Sequence, residues 1–163
     1  MVIVPFLLAI DFLNFTYAKN PCSANVPVKV VMRKGSFSYT PPPSSGTDMG
    51  FDLNVHSVTE GSLVNGTRQA VVIIACDFPI GGTAAAYLYD ERPGSTVLLA
   101  QVGDASWGGD WGAGPDSIHL RFANHFLYVD QCKDTDCTMN VVTTYALRGG
   151  KLAKVYVETH KRP

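Results

Sequence analysis

The chain has few charged residues. Asp, Glu, Lys and Arg make up only 17% of its 163 residues, and the formal net charge is −1. Proteins that bind nucleic acid present a broad basic face, and nothing in this sequence provides one, so nucleic acid is not an expected partner. Low charge combined with 15 Gly and 10 Pro is typical of a loop-rich β protein, not of a helical bundle or a disordered chain.

Catalytic motifs are also missing. A hydrolase needs a nucleophile held by a base and an orienting group, and no G-x-S-x-G elbow occurs in the sequence. We therefore expect no catalytic residue, no cofactor and no enzymatic activity. The histidines form no tight cluster, so we interpret them as ordinary surface residues and expect no metal site: His56, His119, His125 and His160.

No apolar run reaches the roughly 20 residues that a membrane-spanning helix needs. The longest apolar run starts with residues 2–10, and Asp11 interrupts it. A small residue, Ala18, precedes a plausible cleavage point, although no Lys or Arg precedes the run. We predict a signal peptide over residues 1–18 and a single disulfide-stabilised β domain over residues 19–163. The alternative is a mature N-terminal segment that packs on the core.

Four cysteines favour two disulfides. Cys132 and Cys137 flank a polar tetrad with turn chemistry, so we predict that they bond to each other and that Cys22 bonds to Cys76. Closing these loops stabilises the fold by about 2 and about 4 kcal/mol, respectively. The alternative is a zinc site, which needs two further ligands at similar spacing. Disulfides and a cleaved leader together predict a periplasmic or secreted protein, with no stable transmembrane segment.

The apolar runs are short, rich in Val, Ile, Thr and Tyr, and bounded by turn residues. Residues 70–75 are apolar on both faces and predict a central buried strand. We predict a mostly β fold, an antiparallel meander, sandwich or barrel-like sheet of about eight to ten strands, with little helix beyond the leader. Three hairpins are expected at residues 83–102, 118–129 and 138–158.

Residues 58–72 resemble the G-D-L-x-x-D-G-x-x-E-A-V-V loop of FG-GAP/VCBS-type β hairpins in a degenerate form. The order of the later segments is similar to that of small exported bacterial proteins of the LppP/LprE lipoprotein group. The resemblance covers roughly residues 26–157. It implies a β fold and an exported location, and it implies no reaction.

Intact loops of that hairpin type could hold Ca²⁺ through Asp side chains. In this chain Ser62 and Asn65 occupy the two positions where the pattern has Asp, and Gln69 replaces the glutamate of the pattern. Calcium takes six to eight oxygen ligands, several of them carboxylates. Glu60 alone is a poor substitute, so we predict no calcium at this loop.

Residues 103–115 are expected to form a long glycine-rich loop that carries the most suggestive surface. Trp107 and Trp111 could offer flat stacking faces, while three carboxylates could accept hydrogen bonds from a carbohydrate or peptidoglycan fragment: Asp104, Asp110 and Asp116. The alternative is a structured loop whose tryptophan rings cap the core, since Trp is usually largely buried.

Three functions remain open. The leading one is an exported, non-enzymatic binding or interaction domain that meets a glycan or a protein partner, such as a cell-wall enzyme, through the Trp107/Trp111 loop. The second is a small secreted polysaccharide hydrolase, which a cluster of carboxylates near that loop would favour. The third is a structural subunit of a cell-surface assembly, which an exposed apolar edge strand would favour.

Overall fold

The computed structural model describes residues 10–22, 29–43, 49–108 and 111–162. Within these ranges the chain forms twelve strands and no α-helix, and three-residue 3-10 helices lie at Phe12–Asn14 and Pro115–Ser117. The strands are β1 (Thr16–Tyr17), β2 (Val30–Val31), β3 (Ser36–Tyr39), β4 (Phe51–Gly61), β5 (Arg68–Phe78), β6 (Gly81–Arg92), β7 (Ser95–Gly108), β8 (Trp111–Gly112), β9 (His119–Ala123), β10 (Phe126–Cys132), β11 (Met139–Arg148) and β12 (Lys151–Lys161).

The strands form three antiparallel sheets, which confirms the predicted fold class. Six strands run in sequence order from β3 to β8, four run from β12 back to β9, and β1 pairs with β2. None of the three closes into a barrel within the described ranges. Three of the strands have only two residues, β1, β2 and β8, and segments this short carry no alternating pattern. This is why the count exceeds the expected eight to ten.

The β5 strand lies in the middle of the six-stranded sheet, and its residues 69–76 are all buried. The prediction of a central strand buried on both faces is therefore confirmed. Its even-numbered side chains, such as Val72 and Ile74, belong to a first apolar cluster with Tyr87. Its odd-numbered ones, such as Val71 and Ile73, belong to a second cluster that the four-stranded sheet covers. The six-stranded sheet is thus the middle layer of the fold.

The N-terminal segment covers the first cluster. Phe12 and Tyr17 are buried there, and the Tyr17 hydroxyl donates a hydrogen bond of 2.7 Å to the Phe12 carbonyl. The backbone N–H of Met32 donates to the Phe15 carbonyl, which fastens the segment to the strand region that follows. Cleavage after Ala18 would remove this packing. The signal peptide remains a prediction, and residues 1–9 lie outside the described part of the chain.

Both predicted disulfides are present. Cys22 bonds to Cys76 with the Cα atoms 5.6 Å apart, and Cys132 bonds to Cys137 with the Cα atoms 4.9 Å apart. Disulfides form and persist in oxidising compartments, so the pair indicates an extracytoplasmic environment. No helix in the described ranges has the length and apolar character required to cross a bilayer.

The prediction of a long glycine-rich loop at residues 103–115 was wrong. The first six of these residues continue β7, which ends at Gly108, and Trp111–Gly112 form β8. Glycine serves close packing here. A Cβ atom added at Gly82 or at Gly108 would collide with a tryptophan ring, that of Trp107 or of Trp111, respectively. The glycines therefore let two large rings lie against the sheet.

Candidate functional site

The two tryptophans lie on opposite faces of the six-stranded sheet. In the β7–β8 pairing Trp107 is opposite Gly112, and Gly108 is opposite Trp111. Because side chains alternate along a strand, this register directs the two rings to different faces. Trp107 is half-buried and packs against the second cluster, whereas Trp111 is 55% exposed. They do not form one stacking platform.

The predicted carboxylates are also dispersed. Asp104 is exposed, and its backbone N–H donates to Gln131 Oε1 at 3.0 Å. Asp116 is almost fully exposed and lies 2.9 Å from His56 Nε2. Asp110 lies outside the described residues. The five residues expected to form one loop site therefore do not come together as a single surface.

Trp107 instead belongs to a row of paired residues that crosses the sheet. Across five neighbouring strands, each of these residues is the register partner of the next: Ser38, Asp52, Asp77, Gly82 and Trp107. All five lie on the face that carries the second cluster. At about 4.8 Å per strand the row is about 19 Å long. We call these five residues the polar row.

Two carboxylates lie directly opposite each other in the row. Asp52 accepts a hydrogen bond of 2.6 Å from Ser38 Oγ, and Asp77 accepts one of 3.2 Å from Asn54 Nδ2. Both aspartates are exposed, and in the described part of the chain neither forms a salt bridge. Like charges directly opposite in a sheet are destabilising. The pair therefore concentrates negative charge at one place on this exposed face.

An aromatic groove adjoins the carboxylates at the end of β3, β4 and β5. Its volume is about 420 Å³, and Asp52 and Asp77 line it together with three aromatic side chains. Tyr39 stacks on Phe51 with ring centroids 5.0 Å apart, and Phe78 meets Phe51 edge-on at 6.2 Å. The three rings belong to the first cluster, and the two aspartates point to the opposite face of the sheet. We call this space the aromatic groove.

The glycine in the row has a specific role. The Trp107 ring occupies the space where a Cβ atom at Gly82 would lie, so the ring leans over β6 toward Asp77. This arrangement extends a flat apolar surface up to the carboxylate pair. Such a surface can contact the apolar face of a sugar ring, while the two aspartates accept hydrogen bonds from its hydroxyl groups and fix its orientation.

A third carboxylate is buried elsewhere in the fold. Burial raises the pKa of Glu91, and the guanidinium of Arg68, 3.6 Å away, acts in the opposite direction. Arg68 also pairs with Glu60. This group joins β4, β5 and β6 far along the strands from the polar row, so we assign it to structure. In the described ranges, no three His, Cys, Asp or Glu residues lie close enough together to hold a metal ion.

Sequence reasoning missed Asp52 and Asp77. The alternation of Phe51, Asp52 and Leu53 placed Asp52 on the solvent side of a strand, which is an ordinary position for a carboxylate. The signal was the position of Asp77 at the end of the most apolar strand. Only the register of β4 against β5 brings the two together.

Searches of family models, of curated proteins and of solved structures found no match to this chain.

Proposed function

We propose that the protein is an exported binding domain that holds an oligosaccharide along the polar row. The observation that carries the proposal is the pair Asp52 and Asp77, exposed, directly opposite and without a cationic partner in the described residues, in line with the half-buried ring of Trp107. The proposed ligand is still a glycan, as expected from the sequence, but its binding site is a face of the sheet and not the Trp107/Trp111 loop.

The dimensions fit a chain of sugars better than a single sugar. A row of about 19 Å is longer than one sugar ring. Trp107 would stack on an apolar sugar face. Asp52 and Asp77 would accept hydroxyl hydrogen bonds, which are about twice as strong when the acceptor is ionised.

The disulfides support placement of this surface outside the cytoplasm. As part of the same proposal we assign the protein to the periplasm or to the secreted fraction, where cell-wall glycans are accessible. A cell-wall enzyme as partner is a weaker candidate, because the row is a flat sheet face and not a protruding loop.

A second candidate function is hydrolysis of the bound glycan. Directly opposite residues in an antiparallel pair have Cβ atoms about 4.5–5.5 Å apart, and retaining glycosidases hold their two carboxyl groups about 5–5.5 Å apart. The register of Asp52 opposite Asp77 brings the two side chains close enough to act on one bond. Against it, both are exposed, and a general acid is usually buried in apolar surroundings.

The test is calorimetric titration with chitin oligosaccharides of increasing length. We expect Trp107→Ala and the double variant Asp52→Asn/Asp77→Asn to weaken binding by about tenfold or more. For scale, the stacking of one nucleic-acid base on an aromatic side chain contributes about 1–3 kcal/mol. Trp111→Ala is the matched control, because it removes the same ring from the other face. Equal affinity of all three variants and the wild type would refute the proposal.

The same samples distinguish binding from hydrolysis. Product analysis after long incubation should find the oligosaccharide intact with the wild type. Shortened products that disappear in Asp52→Asn would establish the second candidate instead. Unfolding midpoints of each variant separate loss of binding from loss of fold.

A further inference from the structure

A second groove lies between β7 and the tip of the β11–β12 hairpin. Its volume is about 430 Å³, within the range of small-molecule sites. Leu98 and Leu99 line it from β7, and Tyr145 and Leu152 line it from the hairpin. We call it the lysine-rimmed groove, because Lys151 and Lys154 also line it.

Two bulges open this groove. In the β6–β7 pairing the register shifts twice, and Leu99 and Val102 are the extra residues on β7. Bulges bend a strand and redirect its side chains. As a result the consecutive residues Leu99 and Ala100 both pack toward the second cluster. β8 does not pair with β7 along this stretch. The bent β7 strand therefore leaves an apolar cleft between itself and the hairpin.

The rim is positively charged and unbalanced. Lys151 is the register partner of Arg148 at the hairpin tip, and Lys154 is the partner of Tyr145. In the described part of the chain none of these three cations forms a salt bridge, and no Asp or Glu lines the groove. An apolar cleft with a cationic rim complements a molecule with an apolar chain and an anionic head.

We propose that the lysine-rimmed groove binds a single-chain anionic amphiphile of the fatty-acid class. The alkyl chain lies against Leu99, Tyr145 and Leu152, and the carboxylate lies at the rim formed by Lys151 and Lys154. The site is separate from the polar row and does not depend on the glycan proposal.

Calorimetric titration with laurate, below its micelle concentration, tests the proposal. Burial of each additional CH₂ group is favourable, so laurate should bind at least about tenfold tighter than octanoate. Lys151→Glu/Lys154→Glu should weaken laurate binding by about tenfold or more, through loss of two attractive charges. Lys161→Glu, on the same strand but outside the groove, is the matched control and should bind as the wild type does.

Two results of the titrations would overturn the proposal. One is equal binding of dodecyltrimethylammonium and laurate, since that would exclude the lysines as the head-group site. The other is unchanged laurate affinity in the double variant at an unchanged unfolding midpoint. Binding to phosphatidylglycerol vesicles is measured in a separate experiment. Binding to vesicles without binding to monomeric laurate would also overturn the proposal and assign the lysines to a membrane-surface contact.

Discussion

Gln69→Glu restores the glutamate of the calcium-loop pattern and should destabilise the protein. Gln69 is fully buried, and its side chain closes the β4–β5 connection. Its Oε1 accepts from the Leu63 backbone N–H at 2.7 Å, and its Nε2 donates to Asp90 Oδ1 at 2.8 Å and to Thr67 Oγ1 at 2.9 Å. A carboxylate at this position keeps the acceptor and loses both donors.

The size of the effect follows from these contacts. A hydrogen bond to a charged acceptor such as Asp90 contributes about 1.5–3 kcal/mol, and one to a neutral acceptor contributes about 1 kcal/mol. The introduced carboxylate also lies beside Asp90 in a buried place, where like charges repel. We expect the free energy of unfolding to fall by about 3 kcal/mol or more near neutral pH.

The loss should depend on pH. Burial and Asp90 raise the pKa of the introduced carboxyl group in the folded state above its unfolded value of about 4.3. The charge-related cost is therefore absent below about pH 4.3 and grows as the pH rises through the raised folded value. Gln69→Met is the matched control, because it loses the same donors without a titrating group and so has no charge-related pH dependence.

Urea unfolding near pH 4 and near pH 7, about the extremes of this window, measures the difference between each variant and the wild type. A Gln69→Glu variant as stable as the wild type near pH 7 would refute the structural role of the amide. An increase in the unfolding midpoint of the wild type on addition of calcium would contradict the prediction that this loop binds no calcium.

Three further predictions concern the fold. A chain that begins at Lys19 should lose at least about 3 kcal/mol in urea unfolding, since it lacks a buried aromatic residue such as Tyr17; unchanged stability would support a cleavable leader. Cys22→Ser/Cys76→Ser should cost about 4 kcal/mol and Cys132→Ser/Cys137→Ser about 2 kcal/mol, because the first pair closes the longer loop; equal costs would contradict this. Burial raises the pKa of Tyr87 to about 12, so the free energy of unfolding should fall as the pH rises above about 10. The absorbance of the Tyr87 phenolate should then appear only as the protein unfolds. Ionisation of Tyr87 in the folded protein near pH 10 would contradict the raised pKa.

Much of the fold could be predicted from local pattern. The period-2 alternation in β4, the two-sided apolar run of β5 and the turn residues between strands are all local signals. The Cys132–Cys137 bond follows from a turn, and Cys22–Cys76 then follows as the remaining pair. These features depend on neighbours in sequence, and the structure confirms them.

The polar row could not be predicted, because it depends on register. Ser38 and Trp107 are 69 positions apart in the sequence, and their alignment needs four successive strand pairings, including the bulge between Val55 and Ser57 that shifts β4 against β5. The glycines around Trp107 suggested a loop because glycine is common in turns. In the structure Gly103, Gly108 and Gly112 lie in strands, and at Gly108 the ring of Trp111 occupies the place of the missing side chain.

The central claim is that the ligand lies on the Trp107 face of the sheet. The chain has two tryptophans, so a ¹⁵N spectrum contains two indole N–H resonances, which Trp111→Phe assigns. On titration with a chitin oligosaccharide, the account predicts that the Trp107 resonance shifts and saturates, while that of Trp111 stays in place. A saturating shift of Trp111 with Trp107 unchanged would place the ligand on the other face and contradict the account.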